Sequence, residues 1–308
     1  MSAQPGQITI PERLTETVRA EAGEPGLAWL DALPERFTEH LRRWGLTLER
    51  IAEPGGRVSL IGYVHREDDL SPAVLKVGVR TPETEQEHAA LRQWAGRGAA
   101  LLLNADPAAG VLLLERLHGD IPLRSLAEDK AMLEASGLLR RLWVDPAEGH
   151  PFATLADRVA LRTERILDRR TLAPDAVPLV DEALETAAAL LADGGGGPAQ
   201  LLHGDFHHGN VLAADRAPWL AISPRPLVGE RAFDLARLVR DRVDTLAGSP
   251  GPRAAVRRRL ARLADAVDLD GDRVRGWTLL RSVDAGLAAL AAGDRGTGEL
   301  CLEFAGWL

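Results

Sequence analysis

A chain of 308 residues is long enough to bury one or two sizeable cores, and its formal net charge of −8 argues against generic nucleic-acid binding. No run approaches the ~18 consecutive apolar residues of a membrane span, and the opening Met1-Ser-Ala-Gln-Pro5 has neither a basic nor an apolar leader region. The single cysteine, Cys301, cannot form an internal disulfide, so the expectation is a cytoplasmic protein with no membrane or nucleic-acid partner.

In chain order, Pro11 to Ala22 and Ala28 to Trp44 read as helix, with Leu14, Val18, Leu30, Leu33, Phe37, Leu41 and Trp44 at three- and four-residue steps. The period then changes. Val58 to Val64 and Ala73 to Val79 are short β-branched runs joined by the polar stretch His65 to Pro72, a hairpin pattern. Gly55 and Gly56 stand just before the first run, where backbone N–H groups could approach an anionic phosphate; an ordinary turn is the simpler reading. Lys76 and Lys130 are the only lysines among 37 basic residues, and Lys76 lies inside an apolar strand. A charge there is costly unless a phosphate or carboxylate meets it, and a snorkelling surface lysine is the alternative. Glu83 to Ala95 returns to helical spacing and offers Glu87 as the partner of Lys76, with Glu85 as second choice.

Ala100 to Asn104 and Val111 to Leu117 add two strands around the turn at Asp106-Pro107. The segment Leu112 to Gly119 joins this part to the next. Its backbone at Glu115 and Leu117 could hydrogen-bond an adenine edge, leaving the Glu115 side chain free, or it could be a plain edge strand. Beyond Gly119, segments near 121–143, 152–170, 175–192, 231–246, 252–266, 272–292 and 297–306 carry Leu, Ala and Val at helical steps. The four glycines at 194–197 are a connector, because no strand precedes them and no lysine follows. The expected fold class is α+β, with a small antiparallel sheet and helix in residues 1–118 and a larger, mainly helical part in 119–308.

The run His203-Gly-Asp-Phe-His-His-Gly-Asn210 carries the chemistry. Phosphoryl transfer needs a carboxylate to orient the attacking hydroxyl and, five residues on, an amide oxygen for a metal, which Asp205 and Asn210 supply. Gly204 permits an unusual backbone angle just before Asp205. A second metal carboxylate is expected after the strand Trp219 to Ile222, and that position is Ser223. His203, Asp205, His207 and His208 also resemble part of a zinc or di-metal hydrolase ligand set, though no second histidine cluster accompanies them. Asp234, at the start of a helix, either stabilises that helix end or accepts backbone N–H bonds from the loop. Asp272, Asp284, Glu299 and Glu303 could meet a cationic sugar, but their helical spacing suits a solvated face.

Taken together, these motifs resemble the aminoglycoside phosphotransferase and hydroxyurea kinase family, near its streptomycin 6-phosphotransferase branch. The resemblance rests on Trp29 to Pro34, Ala73 to Lys76, Glu87 to Arg92, Leu113 to Leu117, His203 to Leu212, Pro226 to Gly229, Ala232 to Ala236 and Trp277. It implies a protein-kinase-like two-lobed fold, ATP bound in the cleft, Mg²⁺ bridging the phosphates, and transfer of the γ-phosphoryl group to a hydroxyl of a small polar molecule. It also implies that Lys76 holds the α/β-phosphates, Glu87 pairs with Lys76, Asp205 orients the acceptor, and Asn210 binds metal. Where similar kinases have Ile-Asp-Pro-Lys-Pro, this chain has Ile222-Ser-Pro-Arg-Pro226, so a metal carboxylate becomes a neutral hydroxyl. Glu230 and Asp215 are the carboxylates that could stand in. Two functions follow: an ATP-dependent phosphotransferase, or a catalytically weakened homologue that binds nucleotide or ligand. Retention of Lys76, Glu87, Asp205 and Asn210 favours the first, since a binding module has no need of a base at Asp205, and Ser223 favours the second.

Overall fold

The computed structural model describes residues 8–194 and 196–308; Met1 to Pro5 and Gly195 of the four-glycine connector lie outside them. The chain divides into two compact units, Met1–Leu117 and His118–Leu308.

The first unit begins with α1 (Glu12–Arg43), interrupted at Gly23, whose φ of 54° is not helical. Leu14, Val18, Leu30, Leu33 and Phe37 from its apolar stripe are buried with Leu60, Val64, Leu75 and Val77 of the sheet. That sheet has five antiparallel strands, β1 (Leu46–Ile51), β2 (Ser59–Arg66), β3 (Pro72–Gly78), β4 (Leu102–Asp106) and β5 (Val111–Glu115), in the order β1-β2-β3-β5-β4. Helix α2 (Glu87–Trp94) lies between β3 and β4 in sequence. A Cβ at Gly62 would collide with the ring of Phe37, so glycine is what lets the helix seat on β2. Strand β1 is an addition to the expected strands. Its alternation Leu46-Thr-Leu-Glu49 runs four residues before the register shifts between Leu48 and Arg50, too short to stand out from the preceding helix.

The second unit is helical around short strands. Its helices are α3 (Glu128–Leu142), α4 (Leu155–Arg169), α5 (Val177–Asp193), α6 (Arg231–Arg240), α7 (Val243–Ala247), α8 (Pro252–Val267), α9 (Gly271–Ala291) and α10 (Arg295–Ala305). Helix α9 is the core, with Trp277, Leu280, Val283 and Leu287 fully buried. Thr154 and Asp157 close a capping box that starts α4, each side chain meeting the other's backbone N–H. The single helix expected over 231–246 is two helices, because Arg242 takes a left-handed φ of 55° between them. The strands are β6 (His118–Pro122), β7 (Gln200–Leu202), β8 (Val211–Ala213), β9 (Trp219–Ala221) and β10 (Leu227–Gly229), arranged as two small sheets, β6-β8-β9 and β10-β7. Pairing of β8 with β9 and of β7 with β10 holds the segment 203–210 beside the segment 222–226. No helix among the described residues is long and apolar enough to cross a membrane.

Candidate active site

The loop between β7 and β8 is fixed at both ends and along its length. Gly204 has a φ of 77°, and a Cβ there would run into the carbonyl of Arg225. Only glycine serves, because an L side chain would be strained and would also force the two segments apart. The backbone N–H of Arg225 donates to the carbonyl of His203 at 2.8 Å. His203 is fully buried; its Nε2 donates to the Ile222 carbonyl at 3.0 Å, which leaves Nδ1 to accept from the Asp205 N–H at 3.3 Å. Asp234, also fully buried, accepts from the N–H groups of His203 at 2.9 Å and Gly204 at 2.8 Å and from Trp143 Nε1 at 3.2 Å. Of the two structural roles expected for Asp234, the buttress of the loop is the one observed. Asn210 Nδ2 donates to the Asp205 carbonyl at 2.9 Å, so Oδ1 is the amide atom that remains as an acceptor. The Asn210 carbonyl accepts from Ile222 N–H at 2.9 Å, and the next residue, Ser223, has a left-handed φ of 55°.

Charge converges on Asp205. Arg237 Nε lies 3.5 Å from its carboxylate, Arg225 Nε 3.7 Å and Arg281 Nη2 3.8 Å. Burial pushes this carboxyl up, but His207, Arg225, Arg237 and Arg281 outweigh burial and hold it well below the usual carboxylate range. Arg281 is itself tied down, with Nη1 donating to the Phe233 carbonyl at 3.1 Å and Nη2 to that of Gly204 at 2.9 Å. His207 is pushed down to about 3 by burial and by Arg237, against the pull of Asp205 and Asp241, so it is neutral near pH 7. Its Nδ1 accepts from Gly209 N–H at 3.1 Å. His208 gives both its backbone N–H (2.9 Å) and Nδ1 (2.7 Å) to Asp241. The four loop residues proposed above as a hydrolase ligand set therefore turn to separate partners, and no group of three His, Cys, Asp or Glu suited to a metal occurs among the described residues.

In the first unit, Lys76 and Glu87 form a buried pair, Nζ lying 2.6 and 2.7 Å from the two carboxylate oxygens. Glu85 is exposed and 3.9 Å from Arg80. Gly55, with a φ of 70°, and Gly56 lie in the connection from β1 to β2. The expectation that the Glu115 side chain is free is corrected: its Oε1 accepts from the Leu101 N–H at 2.6 Å, while Glu115 N–H donates to the Leu101 carbonyl at 3.0 Å. The register shift in the β4–β5 pair between Leu102 and Asn104 is a feature that residue spacing does not show. Leu117 is buried at the end of the unit.

Comparison with known proteins draws these parts together. The sequence profile described as aminoglycoside/hydroxyurea antibiotic resistance kinase matches residues 43–293. Streptomycin 6-kinase of Streptomyces glaucescens is 38% identical over 88% of this chain and 87% of its own length. The chain belongs to this kinase family. Hydroxyurea phosphotransferase of Kitasatospora aureofaciens is 36% identical over 97% of this chain and 87% of its own. The fold is protein-kinase-like: an aminoglycoside phosphotransferase solved with ADP and hygromycin B superposes with a TM-score of 0.59 at 16% identity, covering 88% of this chain and 96% of that one. A choline kinase from Cryptosporidium parvum gives the same TM-score at 12% identity, over 88% and 93%.

Within this antibiotic resistance kinase family, the chain's carboxylates nearest Ser223 in sequence are committed elsewhere. Glu230 is buried against Arg273, at 2.7 Å, and Trp277 Nε1, and Asp215 accepts from His118 at 2.9 Å. Asn210 Oδ1 and Ser223 Oγ are hard oxygens of the type magnesium takes, and neither brings charge. Of the acids considered for a cationic acceptor, Asp284 is buried on Arg162 with Arg165 at 3.7 Å; Asp272, Glu299 and Glu303 are exposed. The arginines around Asp205 are the group that residue spacing did not single out. The one available signal was Asp234, Arg237 and Asp241 at steps of three and four, which puts them on one face of α6 and its continuation.

Proposed function

We propose that this protein is an ATP-dependent O-phosphotransferase whose acceptor is a small hydroxylated molecule of the streptomycin or hydroxyurea type. The observation that carries the reading is the loop in which Asn210 is hydrogen-bonded to the carbonyl of Asp205, so that carboxylate and amide oxygen are held in one rigid unit. In the reaction the acceptor oxygen bonds to the γ-phosphorus as the bond to the β,γ-bridging oxygen breaks, ADP leaves, and the hydroxyl proton is released. Asp205, kept ionised by its arginines, orients that hydroxyl by accepting its hydrogen bond. A loose transition state asks for little proton removal before transfer, so a weakly basic carboxylate suffices. Lys76, held by Glu87, binds the α/β-phosphates. Gly55 and Gly56 turn backbone N–H groups toward phosphate, and the backbone at Glu115 and Leu117 meets the adenine. A magnesium ion, when bound, neutralises phosphate charge; Asn210 and Ser223 are the residues that hold it.

The test is transfer from labelled ATP to streptomycin, hydroxyurea and a panel of small alcohols. Asp205→Ala is expected to lose about 10²- to 10⁴-fold in rate, and Ser223→Asp to gain about 10²-fold while lowering the magnesium needed for half-maximal rate. Wild type that transfers nothing while Ser223→Asp is active would mean a nucleotide-binding homologue instead. An Asp205→Ala variant as fast as wild type would remove Asp205 from its assigned place.

A further inference from the structure

With Ser223 in place of a carboxylate, a metal ion is held less tightly at the transfer site, so less of its charge is available to the phosphates at a given magnesium concentration. The same loop, however, is lined with guanidinium. Arg281 is buried and spends both Nη groups on the carbonyls of Phe233 and Gly204, so it is part of the scaffold. Arg237 differs. Its Nε lies 3.5 Å from Asp205, beyond good hydrogen-bond length, and the side chain is 23% exposed and makes no hydrogen bond to a described residue. With Arg225 at 3.7 Å and Arg281 at 3.8 Å from the same carboxylate, Arg237 is not needed merely to keep Asp205 ionised.

Helix α6 delivers Arg237 to this point firmly. Three residues before it, Asp234 holds the N–H groups of His203 and Gly204; four residues after it, Asp241 holds the backbone and ring of His208. Both ends of the loop are pinned to this stretch, and Arg237 is the residue between the pins.

We propose that Arg237 is a catalytic residue whose guanidinium binds the terminal phosphate of ATP and the phosphoryl group in transfer, supplying charge that Ser223 does not recruit through metal. This rests on the phosphotransferase reading above. An acceptor hydroxyl bonded to Asp205 sits within about 3 to 3.5 Å of the phosphorus it attacks, so a cation beside that carboxylate is within reach of the phosphoryl oxygens. A planar guanidinium can grip two of them at once, which an ammonium cannot.

The test uses the full chain and ATP itself. In EDTA, where no metal contributes, Arg237→Gln is expected to weaken ATP binding about tenfold by calorimetry. In magnesium it is expected to lower kcat about 10²-fold, leave the acceptor KM within about threefold because the charge acts on phosphate rather than acceptor, and leave the melting temperature unchanged. Arg237→Lys, a milder change should the first variant fold poorly, keeps most of the ATP affinity but loses kcat at least about tenfold, since the fork is gone. In a Ser223→Asp background the cost of Arg237→Gln shrinks, because a better-held metal takes over the charge. Metal-free ATP binding as tight in Arg237→Gln as in wild type overturns the proposal, as does an Arg237→Lys variant with wild-type kcat or an undiminished cost in the Ser223→Asp background. Wild type that phosphorylates no acceptor would end the phosphotransferase reading alone, because the ATP-binding comparison in EDTA needs no acceptor.

Discussion

At Asp205 burial and charge act in opposite directions, and charge prevails because three guanidiniums lie within 3.8 Å. Its neighbour His207 shows the reverse balance: burial and Arg237 together outweigh the nearby carboxylates and push it down to about 3 from a usual 6.5. The sign of the resulting stability change follows from which state binds protons. Between pH 6.5 and 3 the unfolded chain takes up a proton at this position and the folded chain does not, so stability is full above 6.5 and falls as pH drops through that window. Urea unfolding at pH 7 and pH 5 is expected to show a loss from His207 of about 1 kcal/mol after allowance for its partial exposure. His207→Gln should lack that increment, and an identical slope in the variant would show that His207 is not its source.

Helix α6 is the element on which the loop depends. Asp234 takes three hydrogen bonds in a site with no water-facing surface, so its removal strands two backbone N–H groups and the Trp143 indole N–H. Asp234→Ala is expected to cost about 3 kcal/mol, at about 1 kcal/mol or more per stranded donor, and to lower kcat along with stability as the loop slackens. Asp234→Asn keeps one acceptor and should cost less. Equal stability of Asp234→Ala and wild type in urea would show that the loop has another support. Much of this element was readable from residue order, since Phe233 to Ala236 carry a helical start and an acid in its first turn. Its end was not: Asp241 is drawn to His208 and Arg242 turns left-handed, a break set by a contact 33 residues away in sequence.

For the whole molecule, the pair Lys76–Glu87 belongs to the core of residues 8–117, whereas Asp205 and its arginines belong to residues 118–308. Removing one member of a buried ion pair leaves an uncompensated charge, typically a loss of about 3 to 5 kcal/mol. Glu87→Ala is therefore expected to speed hydrogen exchange in β3 and β5 and leave the amides of α9 protected. Lys76→Met with Glu87→Leu should recover protection while ATP affinity stays low, separating the pair's part in folding from its part in binding. Equal loss of protection in β5 and α9 would show that the two units unfold together.

The placing of Asp205 and Asn210 was legible because both lie in one loop, where a five-residue step and a glycine largely determine geometry. Lys76 was legible because a charge in an apolar strand needs a partner, and Glu87 one helix later is such a partner. Glu115 was misread for the converse reason: whether its side chain is free depends on what faces it across the sheet, here Leu101 just before β4. The arginine set around Asp205 comes from three separate places, the segment after β9, α6 and α9, and no local pattern ties them together. Residue order by itself determined the glycine-bounded loop at 203–210, the pairing of Lys76 with Glu87 and the serine at position 223. The tertiary structure alone decided which charges meet at that loop, because electrostatic contacts depend on distance in space: strand pairing brings Arg225, and the packing of α6 and α9 brings Arg237 and Arg281, to the same carboxylate.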